Sequence, residues 1–158
     1  MEELRQIPLL SVSVTGGDLT VVEGHDVTLP CKMTEQEKTL TQISWRRKTR
    51  GMPGNPFFFT IAEENSPSFV DDPDPRISFI GKFAERDGTL QISKVSLNDE
   101  GSYTCIFSLF PSGIYSTEIP LRVEDMTASL KIKKIVINVR VKQSTVWTIC
   151  LSKCHFRL

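Results

Sequence analysis

The sequence predicts an all-β protein, a sandwich of two antiparallel sheets with Greek-key connections. Short segments in which apolar and polar residues alternate recur from residue 10 to residue 123, separated by turn residues. That pattern is typical of the strands of a sandwich, whereas helical periodicity is weak along the chain. A second observation is the order Cys31, Trp45, Cys105, in which the tryptophan lies 14 positions after the first cysteine and the second cysteine lies 74 positions after the first.

The residues before the second cysteine make the fold prediction more specific. Asp99, Gly101, Tyr103 and Cys105 match the motif Asp-x-Gly-x-Tyr-x-Cys. A Cys…Trp…Cys spacing that ends in this motif is the sequence mark of an immunoglobulin sandwich. We therefore expect Cys31 and Cys105 to form a disulfide against the core tryptophan, and the Tyr103 hydroxyl to hydrogen-bond the backbone.

Nine strand segments are predicted from the alternation and the turn residues, the second of which resumes the first strand. They span residues 10–14, 19–22, 27–31, 40–46, 57–61, 76–80, 89–93, 102–108 and 115–123. In the strand that carries the tryptophan, Ile43 and Trp45 are expected to point into the core. The residues between and beside them then face outward, namely Gln42, Ser44 and Arg46.

The distance between the two cysteines predicts the subtype. A constant-type domain needs seven strands, whereas the 74-residue separation of Cys31 and Cys105 leaves room for an extra pair. That pair is expected beside the tryptophan strand, so a variable-type domain is predicted. Residues 63–75, rich in Pro and Asp, are expected to form a loop. Arg76 and Asp99 are expected to form a salt bridge across the lower end of the domain, with a structural role.

Charge is distributed unevenly along the chain, although the formal net charge is zero. All 19 acidic residues and 12 of the 19 basic ones lie in residues 1–125, which therefore carry −7, while the remainder carries +7. We predict three segments: an N-terminal leader remnant at 1–7, a variable-type immunoglobulin domain at 8–125, and a basic C-terminal tail at 126–158 that is disordered or atypical. The tail contains Cys150 and Cys154, and the sequence leaves open whether they pair.

No pattern of residues predicts catalysis or a bound cofactor. The two histidines, His25 and His155, are not at metal-ligand spacing, and no phosphate-binding loop or serine-nucleophile motif is present. Asp71, Asp72 and Asp74 cluster, but interleaved prolines favour a solvated loop over a calcium site. A basic tail without interleaved aromatic residues is a poor nucleic-acid signature. We therefore predict no enzyme activity, no metal, no cofactor, no small-molecule substrate and no nucleic-acid partner.

Outward-facing apolar residues predict a binding surface instead. Phe57, Phe58 and Phe59 are consecutive, so at least one of them must face away from the core. Phe110 lies in the connection between the last two strands, and a large apolar group in such a place is typical of an interface. These residues belong to the same sheet as Gln42, which favours a protein–protein contact on that sheet.

Several segments together resemble the first variable-type domain of the nectin and poliovirus-receptor family. The resemblance covers about residues 8–125 and includes residues 76–79, 87–93 and 99–105. Its most specific motifs are Thr41-Gln42, at the start of the tryptophan strand, and Phe110-Pro111-Ser112-Gly113, after the second cysteine.

The resemblance implies an extracellular recognition module for cell–cell adhesion or immune-receptor binding. Members of this family pair face to face, so the implied partners are immunoglobulin-domain receptors of the same group, bound homophilically or heterophilically. An aromatic-proline tip then docks near the Thr-Gln segment of the partner, as a binding hot spot would. The residues expected at this contact are Thr41, Gln42, Ser44, Phe57, Phe59, Phe110, Pro111 and Gly113.

Two other interpretations remain open. The segment from Val21 to Cys31 fits a butyrophilin-like co-stimulatory ligand domain equally well. The lack of a signal-peptide pattern and of a long apolar run agrees with a soluble decoy or a truncated receptor product. We expect an extracellular location: the cell surface for a full-length family member, and secretion if this chain is complete, because no membrane anchor is encoded in it.

Overall fold

Strands dominate the structure, a computed structural model that describes residues 13–63, 66–111, 113–128, 130–131 and 133–136. Predictions for residues 1–7, for Cys150 and for Cys154 lie outside these ranges. The described strands are β1 Val14–Thr15, β2 Leu19–Val22, β3 Val27–Leu29, β4 Lys32–Met33, β5 Thr39–Thr49, β6 Phe57–Ala62, β7 Ser66–Phe69, β8 Ile77–Phe79, β9 Leu90–Ile92, β10 Gly101–Phe110 and β11 Ile114–Glu124. Beyond β11, the described residues between 126 and 136 are helical and exposed.

The strands form two layers around one core. The front sheet has the order β2-β11-β10-β5-β6-β7, and the back sheet has the order β3-β9-β8, with β1 and β4 as a separate pair. The chain leaves the β1–β4 pair and crosses to the edge of the front sheet, where β2 pairs with β11 in parallel while the other described pairings are antiparallel. The predicted variable-type immunoglobulin sandwich is confirmed, with β6 and β7 as the extra pair beside β5.

Strand β7 corrects the prediction of a continuous loop at residues 63–75. Ser66–Phe69 pairs with β6 in spite of Pro67. The Phe69 ring packs edge-on against Phe59, with ring centroids 4.9 Å apart, so the strand gains an aromatic contact with the core. Proline is tolerated because β7 is the edge strand of the sheet.

The core confirms the predicted disulfide. Cys31 is bonded to Cys105, and both are fully buried. Trp45 is the register partner of Cys105 on the neighbouring strand and is also fully buried. Its indole Nε1 donates a hydrogen bond of 2.9 Å to the carbonyl oxygen of Gly88, so its polar atom is satisfied inside the core.

Arg76 and Asp99 lie together at the lower end of the sandwich. Two guanidinium nitrogens of Arg76 donate to the Asp99 carboxylate at 2.6 and 3.1 Å, and Asp74 also accepts hydrogen bonds from Arg76. Burial works against ionisation of Asp99, but the hydrogen bonds from Arg76 and from the Ser96 backbone outweigh it and lower the pKa of Asp99. The Tyr103 hydroxyl donates to the carbonyl oxygen of Asp99 at 2.9 Å, and burial raises the pKa of Tyr103.

Gly101 explains the glycine of the Asp-x-Gly-x-Tyr-x-Cys motif. Its φ of +154° is one that side-chain-bearing residues rarely adopt. A Cβ at this position would lie 2.2 Å from the carbonyl oxygen of Lys48 and 2.7 Å from the Cα of Thr49. The close approach of β10 to β5 therefore requires glycine at this position. Gly101 thus allows the strand that carries Tyr103 and Cys105 to pack against β5.

Candidate recognition face

Strand register decides which side chains reach the outer face of the front sheet. Tyr103, Cys105 and Phe107 are buried on β10, so the residues between them, Thr104 and Ile106, face outward. Residues paired with these two on β5 and β11 face the same way, because register partners in a sheet point to the same side. We call the resulting surface the outer face.

The outer face consists of parallel rows that run across the strands. The row nearest the β10–β11 connection contains Ala62, Gln42, Ser108 and Ile114. The middle row contains Ser68, Thr60, Ser44, Ile106 and Ser116. The next row, which we call the charged row, contains Phe57, Arg46, Thr104 and Glu118. The face therefore presents the exposed Ile114 beside polar side chains at the hairpin end, mostly small hydroxyl side chains around Ile106 in the middle, and charged side chains below.

The β10–β11 hairpin carries two exposed apolar side chains at one end of this face. Phe110 is 65% exposed and Ile114 is 74% exposed. The hairpin is closed by a hydrogen bond of 2.9 Å from the Leu109 amide to the Gly113 carbonyl, and the Phe110–Pro111 peptide bond is cis. A large apolar side chain with this exposure, held on a hydrogen-bonded hairpin, is suited to insertion into a partner.

Gly113 shapes this hairpin, and its substitution gives a testable effect. Its φ is +133°, and a Cβ would lie 3.2 Å from Cε2 of Tyr115. We expect Gly113→Ala to lower the free energy of unfolding by about 1 kcal/mol, because alanine is strained at this φ. Thermal unfolding of the variant measures this cost. Gly17→Ala is the control, since a Cβ there meets nothing within 4 Å; an equal or smaller loss for Gly113→Ala would contradict the expectation.

Thr41 and Gln42 lie beside the hairpin, at the same end of the sheet. A β-bulge shifts the register between Ser108 and Leu109, and Thr41 donates its hydroxyl to the Ser108 carbonyl at 2.9 Å. Gln42 donates its side-chain amide to the hydroxyl of Ser44 at 3.0 Å. The structure thus brings the Thr-Gln segment and the aromatic-proline tip together within one domain.

The three consecutive phenylalanines of β6 separate unexpectedly. A second β-bulge shifts the pairing between Trp45 and Arg46, so Phe58 and Phe59 are both buried. Phe59 is 3% exposed and packs in the core, which corrects its expected place at the partner contact. Phe57 is 37% exposed and faces outward under Arg46.

Two further positions differ from the sequence-based expectation. Ser44 faces outward, but it is only 6% exposed, so little of it is available to a partner. Ile114 was not expected at the contact, although it is the most exposed large apolar residue among those that the structure describes. The alternation of β11 identifies it, because the buried Ile119 and Leu121 place the even-numbered residues outward.

Within the described ranges, no three His, Cys, Asp or Glu side chains lie close enough together to hold a metal ion. None of the helical segments among those residues has the length and apolar character of a membrane span.

Comparison with known proteins places this chain in a family. The profile of the immunoglobulin V-set domain matches residues 15–124. Mouse nectin-2 is 33% identical over 102 residues, which are 57% of this chain and 18% of that protein. Nectin-4 of Xenopus tropicalis is 29% identical over 111 residues, which are 69% of this chain and 20% of that protein. The chain thus spans about a fifth of the length of these relatives.

Proposed function

Because the chain belongs to the immunoglobulin V-set family and its domain is nectin-like, we propose that it is an extracellular recognition module for cell–cell adhesion or immune-receptor binding. It acts by pairing the outer face of its front sheet with the corresponding face of a related immunoglobulin domain. Binding rather than catalysis is its activity, and the cell surface or the extracellular medium is its location.

The observation that carries this function is the exposed hairpin beside the Thr-Gln segment. Phe110 presents a large apolar ring to solvent, and Ile114 extends the apolar surface on the next strand. A largely exposed apolar ring on a structured hairpin is unfavourable unless a partner covers it. The Thr41–Gln42 segment at the same end of the sheet provides polar groups that surround such an anchor.

The proposed partners are immunoglobulin-domain receptors of the nectin and poliovirus-receptor group, bound homophilically or heterophilically. Relatives with matching sequence over the domain are nectins by name, and a face shared by descent is suited to pairing with its own kind. The proposed contact residues are Thr41, Gln42, Phe57, Phe110, Pro111 and Gly113, with Ile114 added from the structure.

Truncation of the anchor tests this function. We expect Phe110→Ala to weaken binding to immunoglobulin-domain ectodomains by about 30-fold, as loss of an aromatic hot spot does. The measurement is surface plasmon resonance of the full chain against a panel of such ectodomains, with the chain itself included. Thermal unfolding of the variant should stay close to that of the wild type, because the ring is exposed.

The matched control is Ile80→Ala, which removes an exposed apolar side chain beside the back sheet. It should leave every affinity in the panel unchanged. Partners whose affinity is insensitive to Phe110→Ala would contradict pairing through the hairpin.

A further inference from the structure

The segment that follows β11 differs in charge and in surface from the sandwich before it. The described residues between 126 and 136, which we call the basic segment, are helical, and every one of them is exposed. Going beyond the function proposed above, and independently of it, we infer that the basic segment binds the surface of a lipid bilayer with anionic headgroups. The helix lies along the interface, with its lysines among the headgroups and one apolar face in the layer beneath them.

Three lysines of the basic segment are available to an anionic partner. Lys131, Lys133 and Lys134 are exposed, and none of the ion pairs in the described part of the chain involves them. The sequence from 126 to 158 contains seven basic residues and no acidic one, so no residue on that side neutralises them. Each lysine held near an anionic bilayer strengthens binding by about fivefold.

Separation of charge along the chain lets the basic segment act although the whole chain is neutral. Residues 1–125 carry −7 and the remainder carries +7. At the rise of a helix, Lys133 and Lys134 lie about 12 Å or more along the axis from Asp125. Charges are largely screened beyond about 10 Å at 0.1 M salt. The lysines are therefore attracted to an anionic surface, and the acidic sandwich faces away from it.

Exposed apolar side chains distinguish a bilayer from a purely charged partner. Ile135 and Val136 are exposed, and they follow Ala128 by seven and eight residues, a spacing that places all three on one face of a helix. By the same spacing, Lys131 and Lys133 flank that face on its two sides. Their aliphatic stems then lie along the interface while the ammonium groups stay in water. A sulfated polysaccharide would pair with the lysines but leave the apolar face uncovered.

The opposite side of the helix provides an internal control. Met126 and Leu130 are four residues apart and therefore share a face. Leu130 is 59% exposed, about as much as Ile135 at 61%, yet it points about 140° away from Ile135 at 3.6 residues per turn. On a helix that lies along the interface, Met126 and Leu130 stay on the solvent side. Two apolar pairs of similar exposure are thus present, of which one enters the bilayer.

Binding of the full chain to vesicles tests the role of the lysines. We expect the wild type to co-sediment with phosphatidylcholine vesicles that contain about 30% phosphatidylserine, and not with phosphatidylcholine alone. Lys131→Gln/Lys133→Gln/Lys134→Gln should weaken this binding by about 100-fold, the product of three fivefold losses.

The matched charge control is Lys32→Gln/Lys48→Gln/Lys82→Gln, which removes three exposed lysines from the sandwich. It should weaken binding by less than about threefold, because the sandwich faces away from the bilayer and its charges are screened. An equal loss for the two triple variants would mean that the net charge of the chain, and not the basic segment, determines binding.

Serine substitutions test the orientation of the helix on the bilayer. Ile135→Ser/Val136→Ser should weaken binding to the same vesicles by more than about tenfold, because two apolar side chains no longer enter the bilayer. Met126→Ser/Leu130→Ser should weaken it by less than about threefold, since that pair stays in water. Both pairs lie outside the sandwich, so thermal unfolding of each variant should match that of the wild type.

Three results would overturn the inference: no binding to vesicles, equal binding with and without phosphatidylserine, or equal losses for the two apolar pairs. Retention on immobilised heparin that depends on the lysines, without binding to vesicles, would overturn it as well and would assign the basic segment to a sulfated polysaccharide. None of these results bears on the proposed function, which is measured by receptor affinity and its dependence on Phe110.

Discussion

Replacement of Cys31 and Cys105 together by alanine is expected to lower the free energy of unfolding by about 4 kcal/mol. The disulfide links residues 74 positions apart, so its removal frees a long loop in the unfolded chain. Both sulfurs are fully buried beside Trp45, and the smaller alanines also leave space in the core. Equilibrium unfolding in guanidinium chloride, followed by tryptophan fluorescence, measures the loss.

Reduction of the wild type provides an independent arm of this experiment. With excess reductant, its unfolding midpoint should fall toward that of the double variant and stay above it, because the reduced thiols still fill the core. The midpoint of the double variant should not respond to the reductant. Cys150→Ala/Cys154→Ala is the control, because these cysteines lie beyond the sandwich in sequence. If that control lost as much stability as C31A/C105A, the central disulfide would not be the main cross-link of the fold.

A second large loss is expected from Asp99→Ala, about 3 kcal/mol. The carboxylate accepts two hydrogen bonds from Arg76 and two from Ser96, and its truncation leaves the guanidinium with Asp74 as its remaining close acceptor. This loss of unfolding free energy is at the lower end of the range measured for broken buried ion pairs, because Arg76 is partly exposed. Asp72→Ala, at an exposed loop position, should cost less than about 0.5 kcal/mol.

The pH dependence of stability distinguishes the charge of Asp99 from its packing. The pKa of Asp99 is lowered in the folded state, so its contribution is present above the unfolded pKa of about 3.9 and is lost as the pH falls through the folded value. The stability gap between the wild type and Asp99→Asn should therefore be constant near neutrality and narrow below about pH 4. A gap independent of pH down to pH 2 would mean that packing alone explains the loss.

The strands and the core could be predicted because they follow from local rules. Alternation placed Ile43 and Trp45 inward, and the spacing of Cys31 and Cys105 predicted the disulfide and the extra strand pair. These features depend on side-chain period and on loop length, both of which a single sequence displays.

The details of the outer face could not be predicted, because they depend on pairing between distant strands. Strict alternation cannot bury both Phe58 and Phe59, and only the bulge opposite Trp45 does so. The equal placement of Arg46 and Glu118 about Thr104 is likewise a matter of register across three strands. The sequence separation of these two residues does not indicate that they share a row. The outward direction of Ile114, in contrast, could have been predicted from the alternation of β11.

The prediction of a continuous loop at residues 63–75 was wrong for a related reason. Pro67 and two serines argue against a strand by propensity, but pairing with β6 and the contact between Phe69 and Phe59 override that preference. Tertiary contacts of this kind are absent from a local reading of the sequence.

Strand β7 also forms one open edge of the front sheet. The amide of Val70 bonds to Phe58, so by alternation Ser66 and Ser68 direct their backbone groups toward β6, and Pro67 directs its nitrogen toward the open edge. That edge therefore lacks a backbone donor at Pro67, which weakens it as a template for continued strand addition. The proline thus opposes edge-to-edge polymerisation of the front sheet, a route of aggregation that an unpaired edge strand otherwise offers.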